Sequence, residues 1–132
     1  MAGICEKTII QDLGIYQNNN LFIKREDMIP FSFGGNKARK AFFFFQEIER
    51  GGYDCVVTYG ASSSNHCRII ANECYKRGMP CYIISPQEAS QPTFNSQMVE
   101  IFGAYVSTVP ISDVYDTIED KIVELCSVGR KP

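Results

Sequence analysis

The sequence predicts an α/β protein built on a parallel sheet with helices on both faces. Three observations carry that reading. From residue 53 onward a strand, a polar loop and a helix follow one another three times. The strands are short continuous apolar runs, as expected of strands covered on both sides. The helices stop at or just before single glycines, Gly78, Gly103 and Gly129, which supply the left-handed conformation that closes a helix. Three βα units in succession imply a three-layer α/β/α arrangement with right-handed crossovers. In such sheets ligands gather beyond the carboxyl ends of the strands, where helix N-termini point outward.

In chain order, residues 1–20 read as a polar, irregular lead with a turn at Asn18-Asn19-Asn20. A short buried strand at 21–23 follows and emerges at Lys24-Arg25-Glu26-Asp27. A glycine pair, Gly34-Gly35, precedes a helix over 36–50 that Asn36 is expected to cap and Gly51-Gly52 to stop. Ala38, Ala41, Phe42, Phe45 and Ile48 form its core stripe. Phe43 and Phe44 lie off that stripe, so the helix is expected to be packed on more than one side, and self-association through the 42–45 stretch is expected where nothing else covers it.

The repeating region starts with a strand at 55–59. A helix from 65 then turns Cys67, Ile70, Ala71 and Cys74 inward. A second strand, 81–84, leads through a longer loop to a helix starting at Pro92 that is expected to bury Phe94, Met98, Ile101 and Phe102. A third strand, 104–107, precedes a helix capped by Ser112, with Val114, Ile118, Ile122 and Leu125 on one face. Residues 1–52 thus form an N-terminal segment and residues 53–132 a small α/β domain.

Composition narrows the function classes. The 132 residues are 45% hydrophobic and 21% charged, with a net charge of −2. No basic footprint argues for nucleic acid or an anionic membrane. No apolar run approaches the length of a membrane span, and residues 1–10 do not read as a secretion signal; the expectation is a cytoplasmic protein. Six cysteines, Cys5, Cys55, Cys67, Cys74, Cys81 and Cys126, form no CxxC pair, and His66 is the single histidine. They read as reduced core residues, and no metal site is expected.

Two stretches carry candidate chemistry. Residues 33–40, FGGNKARK, place Lys37, Arg39 and Lys40 in the first turn of a helix, where the helix dipole disfavours cations by a few tenths to about 1 kcal/mol each. An anionic ligand, or a covalent task for a lysine, accounts for them better than helix stability does. A useful lysine nucleophile must be partly deprotonated, and the neighbouring cations and helix N-terminus are expected to favour this. Residues 59–68, YGASSSNHCR, place Ser62, Ser63, Ser64 and Asn65 at the next helix start, where hydroxyls and free N–H groups suit a carboxylate or phosphate. The same residues also suit an ordinary N-cap.

FGGNKARK after LFIKREDMIP, followed by a strand and an SNH loop with Arg68, resembles the N-terminal part of the fold-type II pyridoxal phosphate enzymes. The likeness is to the D-cysteine desulfhydrase and 1-aminocyclopropane-1-carboxylate deaminase family, running from about residue 21 to 86 and more loosely beyond. The resemblance implies that Lys37 bonds covalently to the aldehyde of pyridoxal 5'-phosphate and that Asn65 hydrogen-bonds the cofactor ring hydroxyl. It also implies that Ser64 contacts substrate and assists proton transfer. His66 stands where the desulfhydrases have histidine, and the backbone around Ser63, Ser64, Asn65 and His66 is implied to hold a substrate carboxylate. The implied reaction is deamination or α,β-elimination on a small amino acid.

The family's phosphate-cradling glycine loop, the group opposite the pyridine nitrogen and the deaminases' substrate tyrosines belong to a later part of the fold and have no counterpart in these residues. The expectation is therefore an N-terminal portion of an enzyme, inactive alone and binding the cofactor weakly or not at all. The alternative is a catalytically silent α/β folding or interaction module.

Overall fold

The structure is a computed structural model that describes residues 8–132; Cys5 lies outside the described residues. The chain opens with an antiparallel hairpin, β1 (Ile10–Tyr16) and β2 (Asn19–Lys24). Gln17 and Asn18 make the two-residue turn with φ of 47° and 62°, the paired positive values that match the twist of a hairpin. Asp12 Oδ1 accepts a hydrogen bond from the Gly14 amide at 2.7 Å, where the register shifts by a bulge. This corrects two expectations. The lead before residue 20 contains a strand, and the run at 21–23 is exposed because no described element covers either face of the hairpin. The turn also falls one or two residues earlier than the asparagine run placed it.

After a 3₁₀ turn at Glu26–Met28 the chain enters α1 (Asn36–Gly51). Ala38, Ala41 and Phe45 are buried on its inner face, as the stripe predicted, with Phe42 and Ile48 half-buried. Asn36 is the first helical residue and the cap position belongs to Gly35, which has no side chain to give. The expected asparagine cap is therefore absent. Helix α1 ends at Gly52 in the left-handed conformation.

The sheet is β3 (Val56–Tyr59), β4 (Cys81–Pro86) and β5 (Tyr105–Val109), parallel and in that spatial order. Its register pairs Val56 with Cys81 and Tyr82 with Tyr105. Between them lie α2 (Asn65–Arg77) and α3 (Phe94–Ile101), and α4 (Val114–Ser127) follows. Helix α2 packs on β3, β4, α1 and α3, whereas α4 packs on β3 and β4. Right-handed crossovers along a sheet built in one direction put α2 and α3 on one face, and the return of α4 puts it on the other. The core runs from Ala38, Ala41 and Phe45 through Ile69, Ile70 and Cys74 to Ile83 and Val99.

Four smaller expectations change. Helix α3 buries Val99, while Phe94 is 56% and Ile101 69% exposed. Its start is fixed by Thr93, which shares a capping box with Ser96, and this rotates the inward face from the one predicted from Pro92. Ser112 does not cap α4; its hydroxyl donates to Asp113 Oδ1 at 2.6 Å, within a 3₁₀ turn at Ile111–Asp113. Cys126 is exposed, unlike the buried Cys55, Cys67, Cys74 and Cys81.

Candidate functional site

Lys37 and Asn65 stand on different helices, and the fold brings them to one hollow. The turn before α1 is built from four consecutive residues with positive φ: Ser32 (46°), Phe33 (61°), Gly34 (66°) and Gly35 (94°). Such values are uncommon outside glycine and mark backbone strain held by its surroundings. The Gly35 amide donates to the Glu26 carbonyl at 2.7 Å and the Gly34 amide to that of Phe31 at 2.9 Å. A Cβ on Gly34 would lie 2.7 Å from the carbonyl oxygens of Glu26 and Asp27. The close approach at this glycine is thus to the chain's own backbone. Over Gly35 the space is open.

This turn aims the start of α1 at the start of α2. Between them lies a hollow of about 190 Å³ lined by Asp27, Phe33, Gly34, Gly35, Asn36, Lys37, Asn65 and Arg68. Two helix N-termini, one half-buried lysine and one buried arginine stand against a single carboxylate, Asp27, which is already paired with Arg25 at 2.6 Å, so the balance is positive. Among the described residues Lys37 has no ion-pair partner. Arg39, expected to tune it, is turned away: its guanidinium is paired with Glu26 at 2.9 Å, bonds both Glu26 oxygens and also reaches Thr8.

The second stretch caps α2. Ser64 Oγ accepts from the Cys67 amide at 3.2 Å, which leaves its own proton free to donate. The Ser64 amide is used by the Ala61 carbonyl, whereas those of Ser63, Asn65 and His66 have no acceptor among the described residues, as expected at the head of a helix. His66 is half-buried, with Nε2 3.0 Å from Thr58 Oγ1 and the Phe44 ring edge-on at 6.2 Å. Burial, then the charges of Lys37 and Lys40, hold its pKa below the ordinary 6.5, so the ring is neutral at pH 7. Thr58 was not singled out in the sequence; a threonine at the end of the apolar run CVVTY was its only signal. Asn95, which donates to Asn65 Oδ1 at 3.1 Å, left none.

The profile of the pyridoxal-phosphate dependent enzymes matches residues 8–132. The chain belongs to this family. The D-cysteine desulfhydrase of Serratia proteamaculans is 31% identical over 127 residues, which is 91% of this chain and 38% of that protein. The D-cysteine desulfhydrase of Yersinia enterocolitica is 35% identical over 100 residues, 71% of this chain and 30% of that protein. The crystal structure of an ACC deaminase homologue superposes with a TM-score of 0.79 at 27% identity, covering 98% of this chain and 41% of that one. An aspartate racemase that depends on pyridoxal 5'-phosphate shares the fold, with a TM-score of 0.69 at 23% identity. The chain spans about two fifths of the length of the first of these relatives.

The hollow fits the aldehyde and ring end of the family's cofactor. It offers an amine for a carbonyl, an asparagine for a ring oxygen and a positive field for an anion. The phosphate end finds no cradle among the described residues. The glycines after Gly60 are single: Gly78 and Gly103 follow α2 and α3, and Gly129 follows α4.

Proposed function

We propose that this chain carries the lysine and substrate-loop part of an enzyme that deaminates, or eliminates from, a small amino acid with pyridoxal 5'-phosphate. The observation that carries the reading is the convergence of Lys37 and Asn65 on one positively polarised hollow between two helix N-termini. When bound, the cofactor supplies an electron sink for negative charge at the substrate α-carbon. Lys37 would hold the cofactor at its aldehyde end, and Asn65 would meet the ring oxygen. The free amides of Ser63, Asn65 and His66 receive the substrate carboxylate, a charge-assisted set of hydrogen bonds. Ser64 keeps its hydroxyl proton for the substrate. Neutral His66, steadied by Thr58, offers an uncharged ring beside the two lysines. In this reading residues 1–52 contribute the lysine helix and residues 53–132 the substrate loop, and without a phosphate cradle the chain binds the cofactor weakly and is inactive alone.

The test is reduction with borohydride in the presence of pyridoxal 5'-phosphate, followed by peptide mapping. The pyridoxyl label is expected at Lys37 in clear excess over Lys24, Lys40 and Lys76, at millimolar cofactor. A label spread evenly over the lysines would overturn the assignment, and micromolar affinity would overturn the weak-binding part.

A second reading, a silent module that associates with itself, is favoured by the exposure of Phe43 and Phe44, 58% and 47%. The two are compatible, because self-association does not require the hollow.

A further inference from the structure

Arg68 is 94% buried by its 6% residual exposure, yet it has no carboxylate partner among the described residues. Its guanidinium lies 5.3 Å from the centre of the Phe33 ring. Its Nε is buried with no hydrogen-bond partner. Among the described residues its one side-chain hydrogen bond runs from Nη1 to Asn95 Oδ1, at 2.9 Å. Asn95, the second residue of α3, uses its Nδ2 twice, donating to the Ser63 carbonyl at 2.6 Å and to Asn65 Oδ1 at 3.1 Å.

The direction of these bonds follows from the donors and acceptors each group carries. Arginine has only donors, so whichever atom of Asn95 faces it must be the oxygen. The Asn95 amide nitrogen, with two hydrogens, then has to face the other way, and the two groups it meets are both acceptors. The Ser63 carbonyl can only accept, which fixes Asn95 a second time. Asn65 must therefore turn its oxygen toward Asn95 and its nitrogen away. Without this relay, an asparagine side chain can present either atom at little difference in energy.

We propose that Arg68 and Asn95 are positioning residues forming a one-way hydrogen-bond relay, which holds the Asn65 amide with its NH2 presented as a donor to an anionic or phenolic ligand oxygen. The proposal rests on the reading of Asn65 as a cofactor-facing residue and adds what sets its polarity. The same relay ties the Ser63 carbonyl of the substrate loop to α3, so the loop and the asparagine are oriented together.

Side-chain amide hydrogen exchange, measured by NMR on the 15N-labelled 132-residue chain without any ligand, tests this. The Asn95 NH2 is expected to exchange about tenfold more slowly than that of exposed Asn20, the factor a hydrogen bond of ordinary net strength supplies. The Asn65 NH2 is expected to exchange like Asn20. Arg68→Gln, whose amide can offer donor or acceptor, is expected to reduce the protection of Asn95, which then has only the Ser63 carbonyl to orient it, and Arg68→Lys to retain it. Should Arg68→Gln not fold, Asn95→Asp decides. The new carboxylate still accepts from Arg68 but cannot donate, so the Ser63 carbonyl loses its donor, and Asn65 is expected to reverse and its NH2 to become protected about tenfold. An Asn95 amide that exchanges like Asn20, unchanged protection in a folded Arg68→Gln variant, or unchanged Asn65 exchange in Asn95→Asp would each overturn the relay. Failure of pyridoxyl labelling at Lys37 would leave these exchange results standing, and their failure would leave the labelling untouched.

Discussion

At the scale of single residues, His66 couples the site to stability through its charge. Its pKa in the fold lies below the 6.5 of an ordinary histidine, first through burial and then through Lys37 and Lys40. The folded chain therefore refuses a proton that the unfolded chain accepts. Its stabilising contribution is complete above 6.5 and is lost as pH falls through the lowered folded value. His66 is the only histidine, and the carboxylates Glu26, Asp27 and Asp54 are held below their usual range by Arg39, by Arg25 and by the Lys131 amide respectively. Of these shifted groups only His66 has its ordinary value between pH 5 and 7. The urea midpoint of the parent is expected to fall over this interval, and that of His66→Gln to fall less. Equal falls in the two proteins would show that His66 titrates alike folded and unfolded.

At the scale of elements, the turn into α1 decides where Lys37 points. Gly34 meets two conditions at once, a positive φ of 66° and backbone oxygens 2.7 Å from where a Cβ would sit. Gly34→Ala adds about 1 kcal/mol of left-handed strain to the roughly 1–3 kcal/mol of forcing an atom into filled space. A loss of about 3 kcal/mol in urea unfolding is expected, and a loss under about 1 kcal/mol would show that the turn rearranges without penalty. The sequence made this glycine pair conspicuous, but its reason was not visible, because the carbonyls it avoids belong to residues seven and eight positions earlier.

The same limit runs through the other elements. Helices α1, α2 and α4 and all three parallel strands were legible, because an apolar stripe or run and a closing glycine are local signals. The inward face of α3 was misread, since eight residues give barely two turns of periodicity and Thr93 rather than Pro92 sets its phase. Strand β1 was missed because IQDLGIY alternates poorly across its bulge, and β2 was expected inside because three apolar residues in a row carry no information on what covers them. Of the residues singled out by motif, Lys37 and Asn65 line the hollow and Ser64 does not, whereas Thr58 and Asn95 meet His66 and Asn65 only through strand and helix packing. The pairing of Arg39 with Glu26 depends on the fold of the intervening turn, so its removal from the lysine's surroundings could not be read beforehand.

At the scale of the whole molecule, the apolar surface is out of proportion to the core. Ile10, Ile15, Phe22 and Phe43 are each between 58% and 75% exposed, and both faces of the hairpin are bare. Exposed apolar side chains of this size are what the proposed self-association would cover. Under the proposed self-association, sedimentation is expected to show a dimer or larger species. Phe43 lies on α1 away from the hollow's lining, so replacing it leaves the lysine environment in place. Withdrawing one phenylalanine from a buried interface removes roughly 1.5–3 kcal/mol. Phe43→Glu is therefore expected to weaken association at least about tenfold, with unchanged pyridoxyl labelling at Lys37. A parent chain that sediments as a monomer at high concentration would sink this, and a substitution that altered labelling without altering mass would show that α1 communicates with the site by a route other than its exposed face.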